Sequence, residues 1–277
     1  MMIAAPTIAL HDGHTIPQLG LGVWQTPADA TAAIVQNALE LGYRQIDTAS
    51  IYGNETGVGE GIRASGVPRE RIFLTTKLWN DDQGYDRALK AFDQSVARLG
   101  VDYVDLYLIH WPAPKRNAYV DSWRALIRLK EEGRTRSIGV SNFNPDHIER
   151  LIAETGVRPV LNQVELHPRF QRRDLREAHA RYDIATQAWS PLGRGSLLGE
   201  PLIREIARKH GKTPAQVIIR WHLDIGSAAI PKSANPARIA ENFAVFDFAL
   251  DRDDLARLQT LDDPGGRLGP DPLTAPF

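Results

Sequence analysis

Cysteine is absent from the 277 residues, methionine occurs only twice, and acidic and basic side chains nearly cancel, 34 against 33, for a net charge of −1. Each shortage removes a class of function. Without cysteine there is no disulfide, no thiolate nucleophile and no Cys-ligated metal. Without a basic block there is no electrostatic footprint for nucleic acid. No apolar run reaches the roughly 18 residues that a membrane-spanning helix needs. Met1 to Leu10 lacks the charged start and apolar centre of a secretory signal, so the cytoplasm is the expected compartment. No His and carboxylate spacing suggests a metal site. What remains is an ordinary globular composition, 43% hydrophobic and 24% charged.

The pattern along the chain is repetitive. Ile8 to Ile16, with Asp12-Gly13 inside it, reads as a small hairpin with a two-residue turn. Apolar β-like runs then alternate with amphipathic helical patterns. The spacing predicts strands at Leu19–Gly22, Arg44–Asp47, Ile72–Lys77, Val104–His110, Ser137–Val140, Val160–Glu165, Ile184–Ala188 and Ser227–Ile230. Helices are expected at about 28–41, 55–65, 86–99, 119–132, 145–155, 172–182, 200–210 with 214–225, and 236–243. Asn144-Pro145 and Thr213-Pro214 are helix starts, and Gly42, Gly100, Gly133, Gly156 and Gly211 are helix stops. Eight β→α repeats predict an α/β fold, a single (β/α)8 TIM barrel over residues 1–277. The hairpin would close its bottom, and an irregular tail would begin near Asp263. An open doubly wound sheet is the competing architecture. Its glycine fingerprint has one formal match, Gly59-Glu60-Gly61, which lies inside a helical pattern and is read as accidental.

In such a barrel the C-terminal strand ends converge on one face. Three of those ends carry ionisable groups here: Asp47 on the second strand, Lys77 on the third and His110 on the fourth, with Tyr52 in the loop after Asp47. Singly, each has an ordinary explanation as a cap, a solvated lysine or a packing ring. Together they make an acid. The ammonium of Lys77 would lower the Tyr52 phenol toward neutrality, Asp47 would keep Lys77 charged, and His110 would orient a carbonyl oxygen for protonation. Carbonyl reduction also needs a hydride, and the chain has no reductant of its own, so a nicotinamide cofactor is implied. Ser141, Asn142 and Gln163 offer groups for a carboxamide, and Trp189 a face for stacking. The loop Ser190-Pro191-Leu192-Gly193-Arg194-Gly195-Ser196 offers backbone N–H groups for a pyrophosphate. Lys232, Ser233 and Ala234, leading into a helix that carries Arg238, suit a 2′-phosphate and so favour NADPH over NADH.

These stretches are similar to a known family. Gly42-Tyr-Arg-Gln-Ile-Asp47-Thr-Ala-Ser-Ile-Tyr52-Gly-Asn-Glu55, Thr76-Lys77-Leu78-Trp79, Val104 to Pro112, Ser137 to Phe143, Asn162 to Pro168 and Ile230-Pro-Lys-Ser233 resemble the aldo-keto reductase superfamily from Ile8 to about Leu261. The lean loops resemble the bacterial branch that includes 2,5-diketo-D-gluconate reductases. The resemblance implies an NADPH-dependent aldehyde and ketone reductase, monomeric, with Tyr52 as proton donor. It also implies that Glu241 and Asn242 reach the adenine, and that Trp24, Ile51, Trp79 and Trp111 line a pocket for a small carbonyl substrate. Many relatives carry Tyr where Trp189 stands, and the short tail implies an open mouth to the pocket. Two other functions are weighed: an NADPH-binding, redox-sensing regulatory subunit, and a glycosidase using Asp47 and Glu165.

Overall fold

A computed structural model describes residues 5–275. It opens on an antiparallel ribbon, β1 (Thr7–Ala9) and β2 (Thr15–Pro17), with Ile8 opposite Ile16. The turn is one residue wider than expected. Leu10 N–H donates to His14 C=O at 2.8 Å, so His11, Asp12 and Gly13 form the loop, with Gly13 at φ 90°. Asp-Gly marked the place of the turn; the left-handed glycine closes a three-residue loop instead. Leu10 and Ile16 bury against Phe73, Leu106, Val160 and Leu161, near the starts of the barrel strands. The ribbon thus plugs the bottom of the barrel.

Eight parallel strands follow: β3 (Leu21–Gly22), β4 (Gln45–Asp47), β5 (Phe73–Leu78), β6 (Val104–Ile109), β7 (Thr135–Ser141), β8 (Leu161–Glu165), β9 (Ala185–Trp189) and β10 (Ala228–Ala229), paired in chain order. The sheet closes on itself. Leu19 bridges Ala229, Gly20 N–H donates to Ala229 C=O at 2.9 Å, and Gly22 N–H donates to Pro231 C=O at 3.2 Å. That closure rules out the open sheet. The first and last strands are shorter than Leu19–Gly22 and Ser227–Ile230 suggested. Pro231 has no N–H, so the seam ladder cannot be extended past it in both directions.

The helices lie between the strands: α1 (Ala28–Leu41), α2 (Glu55–Ala64), α3 (Tyr85–Leu99), α4 (Tyr119–Glu131), α5 (Pro145–Thr155), α6 (Arg173–Arg181), α7 (Pro201–His210), α8 (Pro214–Asp224) and α9 (Pro236–Phe243). Asn144 and Thr213 cap α5 and α8 through reciprocal side-chain bonds, and Gly42, Gly100, Gly156 and Gly211 end their helices in left-handed geometry. A tenth helix, α10 (Arg252–Gln259), was not expected. Its charge density hides it. Asp251 caps it, Lys209 and His210 bind the buried Asp254, and Leu258 is its one fully buried apolar residue. Its capping box is local, but tertiary contact with α7 supplies the rest of its hold. Among the described residues, no helix is long and apolar enough to cross a membrane.

The formal glycine fingerprint has a packing explanation. Gly59 and Gly61 lie in α2, where a Cβ on Gly59 would stand 1.8 Å from the Leu99 carbonyl oxygen and one on Gly61 would stand 2.5 Å from that of Ala32. Both glycines let α2 approach its neighbours at backbone distance, which accounts for them as packing residues. Gly59→Ala is therefore expected to destabilise the fold by about 3 kcal/mol or more, the upper range for overpacking against rigid backbone. Urea unfolding would measure it, and a loss below about 1 kcal/mol would show that α2 and α3 can separate freely.

Candidate active site

Alternation along a strand sends every second side chain into the barrel. Asp47 ends β4, Lys77 is the penultimate residue of β5, and Gln163 and Gln187 face inward from β8 and β9. They form one buried network. Lys77 Nζ donates to Asp47 Oδ1 at 2.5 Å and to the Thr48 carbonyl at 2.8 Å. Gln163 Nε2 donates to Asp47 Oδ2 and to Gln187 Oε1, each at 2.7 Å. Lys77 is wholly buried and Asp47 is 2% exposed. Burial pushes the Asp47 carboxyl up and the Lys77 ammonium down, and their mutual attraction pulls each back toward its charged form. A buried pair of this kind survives only where every partner is placed.

Tyr52 stands above this pair. It ends a short 3₁₀ turn, Ser50–Tyr52, whose Ser50 hydroxyl donates to the Lys77 carbonyl at 3.1 Å. The Tyr52 ring lies 5.2 Å from Lys77 Nζ and 5.7 Å edge-on from the His110 ring, which in turn lies 5.2 Å from Trp79. The four groups expected from the sequence are therefore together.

Their electrostatics differ from expectation. The phenol is held well above its usual value, first by burial and then by the Asp47 charge. The lowering predicted from Lys77 does not prevail, because burial and the Asp47 carboxylate, held 2.5 Å from that ammonium, both favour the protonated phenol. A donor in this setting stays loaded across the physiological range. His110 is held well below its ordinary value by burial and by Lys77, so its ring is neutral.

A cavity of about 500 Å³ opens over these residues. Its walls include Asp47, Tyr52, His110, Trp24, Ile51, Trp79 and Trp111, together with Asn142, Gln163, Trp189, Ser190, Pro191 and Lys232. Trp24 and Ile51 are exposed at its rim. Asn142, at φ 63°, donates from Nδ2 to the His110 carbonyl at 3.0 Å and to Ser141 Oγ at 3.1 Å, and accepts from Trp189 Nε1 at 2.8 Å. Ser141 Oγ donates to the Gln163 carbonyl. Of the groups expected to hold a carboxamide, the Asn142 amide and Ser141 hydroxyl are thus tied to each other, while the Gln163 amide is tied to Asp47 and Gln187, with spare acceptor lone pairs remaining.

Other expected residues fall outside this cavity. The Leu192 side chain packs into the core, and Gly193, Gly195 and Ser196 form a tight turn with Ser196 Oγ donating to Gly193 C=O. Ser233, Ala234 and Arg238 lie on the segment entering α9, where Asn235 caps the helix. The Glu241 carboxylate accepts from Thr213, and Asn242 is buried. Several wall residues escaped the sequence reading. Arg194 lies 5.4 Å over the Trp24 ring, bridging two loops across the mouth. Gln187, below the wall in the buried network, escaped that reading too, although its inward position two residues before Trp189 was a signal. Gln25 and Pro270, also in the wall, gave no local signal. The short tail does not leave the mouth wholly open, because Pro270 reaches it. Nor do Asp47 and Glu165 make a glycosidase pair. Asp47 is committed to Lys77, and Glu165 accepts from Leu268 and Gly269 N–H groups.

Comparison with known proteins agrees with this geometry. The aldo/keto reductase family model matches residues 17–263. An aldo-keto reductase of Mycolicibacterium smegmatis is 60% identical over 273 residues, 99% of each chain. The methylglyoxal reductase DkgA of Salmonella typhimurium is 54% identical over 98% of each. A crystal structure of a Gox0644 variant in complex with NADPH superposes with a TM-score of 0.96 at 54% identity, covering 99% of this chain and 100% of that one. The barrel, the buried ion pair under a tyrosine and these matches lead to one assignment: the chain belongs to the aldo/keto reductase family.

Proposed function

We propose that this protein is an NADPH-dependent reductase of small aldehydes and ketones, acting as a cytoplasmic monomer built as a single barrel domain. One observation carries the reading: a protonated phenol, Tyr52, sits over the buried Lys77–Asp47 pair and beside a neutral His110, all on a cavity that would admit a small carbonyl compound. The neutral imidazole donates a hydrogen bond that aims the substrate oxygen at Tyr52. Tyr52 then gives its proton to the oxygen as negative charge develops there. Lys77, held by Asp47 and Thr48, stabilises the phenolate left behind. Bound NADPH supplies the hydride.

The residues fit that cofactor. The Trp189 ring stands half-exposed in the cavity wall, oriented by Asn142. Asn142, Ser141 and Gln163 would fix the carboxamide. The loop from Ser190 through Leu192, Gly193 and Gly195 to Ser196 would meet the pyrophosphate. Lys232 and Arg238, exposed and with no ion pair among the described residues, would take the 2′-phosphate with Ser233 and Ala234. Glu241 and Asn242 would approach the adenine. Lys232→Ala and Arg238→Ala should each weaken NADPH by about tenfold or more while leaving NADH nearly unchanged. Fluorescence titration with both cofactors tests this, and equal losses would remove the 2′-phosphate assignment.

The relatives named methylglyoxal reductase suggest the first substrate to try. Consumption of NADPH with methylglyoxal, and none with glycosides, is expected. NADPH binding without turnover on any carbonyl compound would instead favour the sensing subunit.

A further inference from the structure

The chain beyond α10 runs back across the top of the barrel as a strap, and one buried carboxylate holds it. Glu165, the last residue of β8, is 2% exposed. Its Oε1 accepts from Leu268 N–H at 2.6 Å, and its Oε2 accepts from Gly269 N–H at 2.9 Å. His167 Nε2 lies 3.2 Å from Oε1. Against the upward push of burial, His167 and the two N–H groups hold the carboxyl below its usual range. The strap is braced further back, where Asp263 N–H donates to the Arg169 carbonyl and Gln171 N–H to Asp262 Oδ1.

The clamp lands at a particular point. A Cβ on Gly269 would stand 2.5 Å from Cη2 of Trp189 and 3.1 Å from Glu165 Oε2, so the strap backbone lies directly on the indole edge. The next residue, Pro270, is part of the cavity wall. Glu165 itself does not line the cavity. A fully acceptor-type group, buried and bidentate to two consecutive N–H groups, fixes this wall more firmly than packing alone.

We propose that Glu165 is a positioning residue for substrate selection: by clamping Leu268 and Gly269 it holds Pro270 in place as a wall and confines the site to small carbonyl compounds. This rests on the carbonyl-reductase reading above. Glu165→Gln replaces one acceptor oxygen with a donor, so one strap N–H loses its partner and faces another donor. Gly269→Ala leaves Glu165 intact but pushes the strap off Trp189. The two variants act on the same contact by unrelated means.

The test compares methylglyoxal with benzil, an α-dicarbonyl bearing two phenyl rings, in wild type and both variants, and follows amide exchange in the strap. Both variants should speed exchange at 268–269. Both should raise the benzil-to-methylglyoxal ratio of kcat/KM by about tenfold, with the loss on methylglyoxal falling mainly on KM. A variant whose strap exchanges faster but whose ratio is unchanged overturns the proposal, and so does a Glu165→Gln strap that stays protected. If Glu165→Gln does not fold, Gly269→Ala and a chain ended after Arg267 carry the same comparison. Wild-type protein that reduces neither compound would defeat the carbonyl-reductase reading instead, independently of the strap.

Discussion

Tyr52→Phe should abolish carbonyl reduction, lowering kcat by about a hundredfold to ten-thousandfold, the range for losing a positioned general acid. The variant keeps the ring and removes one oxygen that faces the cavity, so the fold should change by less than about 1 kcal/mol. NADPH affinity should hold within about twofold, because the residues proposed to bind it lie on later strands. Single-turnover kinetics with a fluorescence titration distinguish these effects. Wild-type turnover in the variant would remove Tyr52 from the mechanism. Since burial and Asp47 hold the phenol above its ordinary value, wild-type reduction should also show no loss from Tyr52 ionisation below about pH 10.

Lys77→Met is the second large effect, and it strikes both stability and turnover. The thioether fills much of the aliphatic space but leaves Asp47 buried, with Gln163 as its remaining side-chain donor. Removing one member of a buried ion pair destabilises by about 3–5 kcal/mol. The pH dependence follows from the sign of the Asp47 shift. Burial raises its carboxyl, and without Lys77 nothing of comparable strength opposes that rise. A folded-state value above the unfolded one favours folding at low pH, and the advantage is lost as pH rises through it. The variant should therefore be least impaired near pH 5 and most impaired near pH 8. Urea unfolding at the two values checks this, and an equal penalty at both would show that Asp47 is not left charged and unpaired. Adding Asp47→Asn should recover stability without recovering turnover, which separates the cost of the buried charge from its chemistry.

The barrel was legible because its signals are local: Asn144 and Thr213 start helices, Gly42 and Gly100 stop them, and strand runs recur between them. The catalytic quartet was legible because strand ends converge, so Asp47, Lys77 and His110 could be brought together from their positions alone. What local pattern does not encode was missed. α10 depends on Lys209 and His210 reaching Asp254 from another helix. Pro270 enters the cavity through a strap whose anchor, Glu165, lies more than a hundred residues earlier. The charge balance at Tyr52 was misjudged because it depends on distance. Burial of the ring and the carboxylate beside the ammonium together outweigh the ammonium's pull on the phenol. Only coordinates separate those cases.

Asn142 has a mechanical consequence. Its one amide holds the His110 carbonyl from one end and the Trp189 indole from the other, on a backbone already in left-handed geometry. The indole cannot swing away without giving up its bond to the amide that also holds the His110 backbone. Whatever presses on that ring from the cavity side is thereby felt, through three atoms of a single side chain, on the opposite bank.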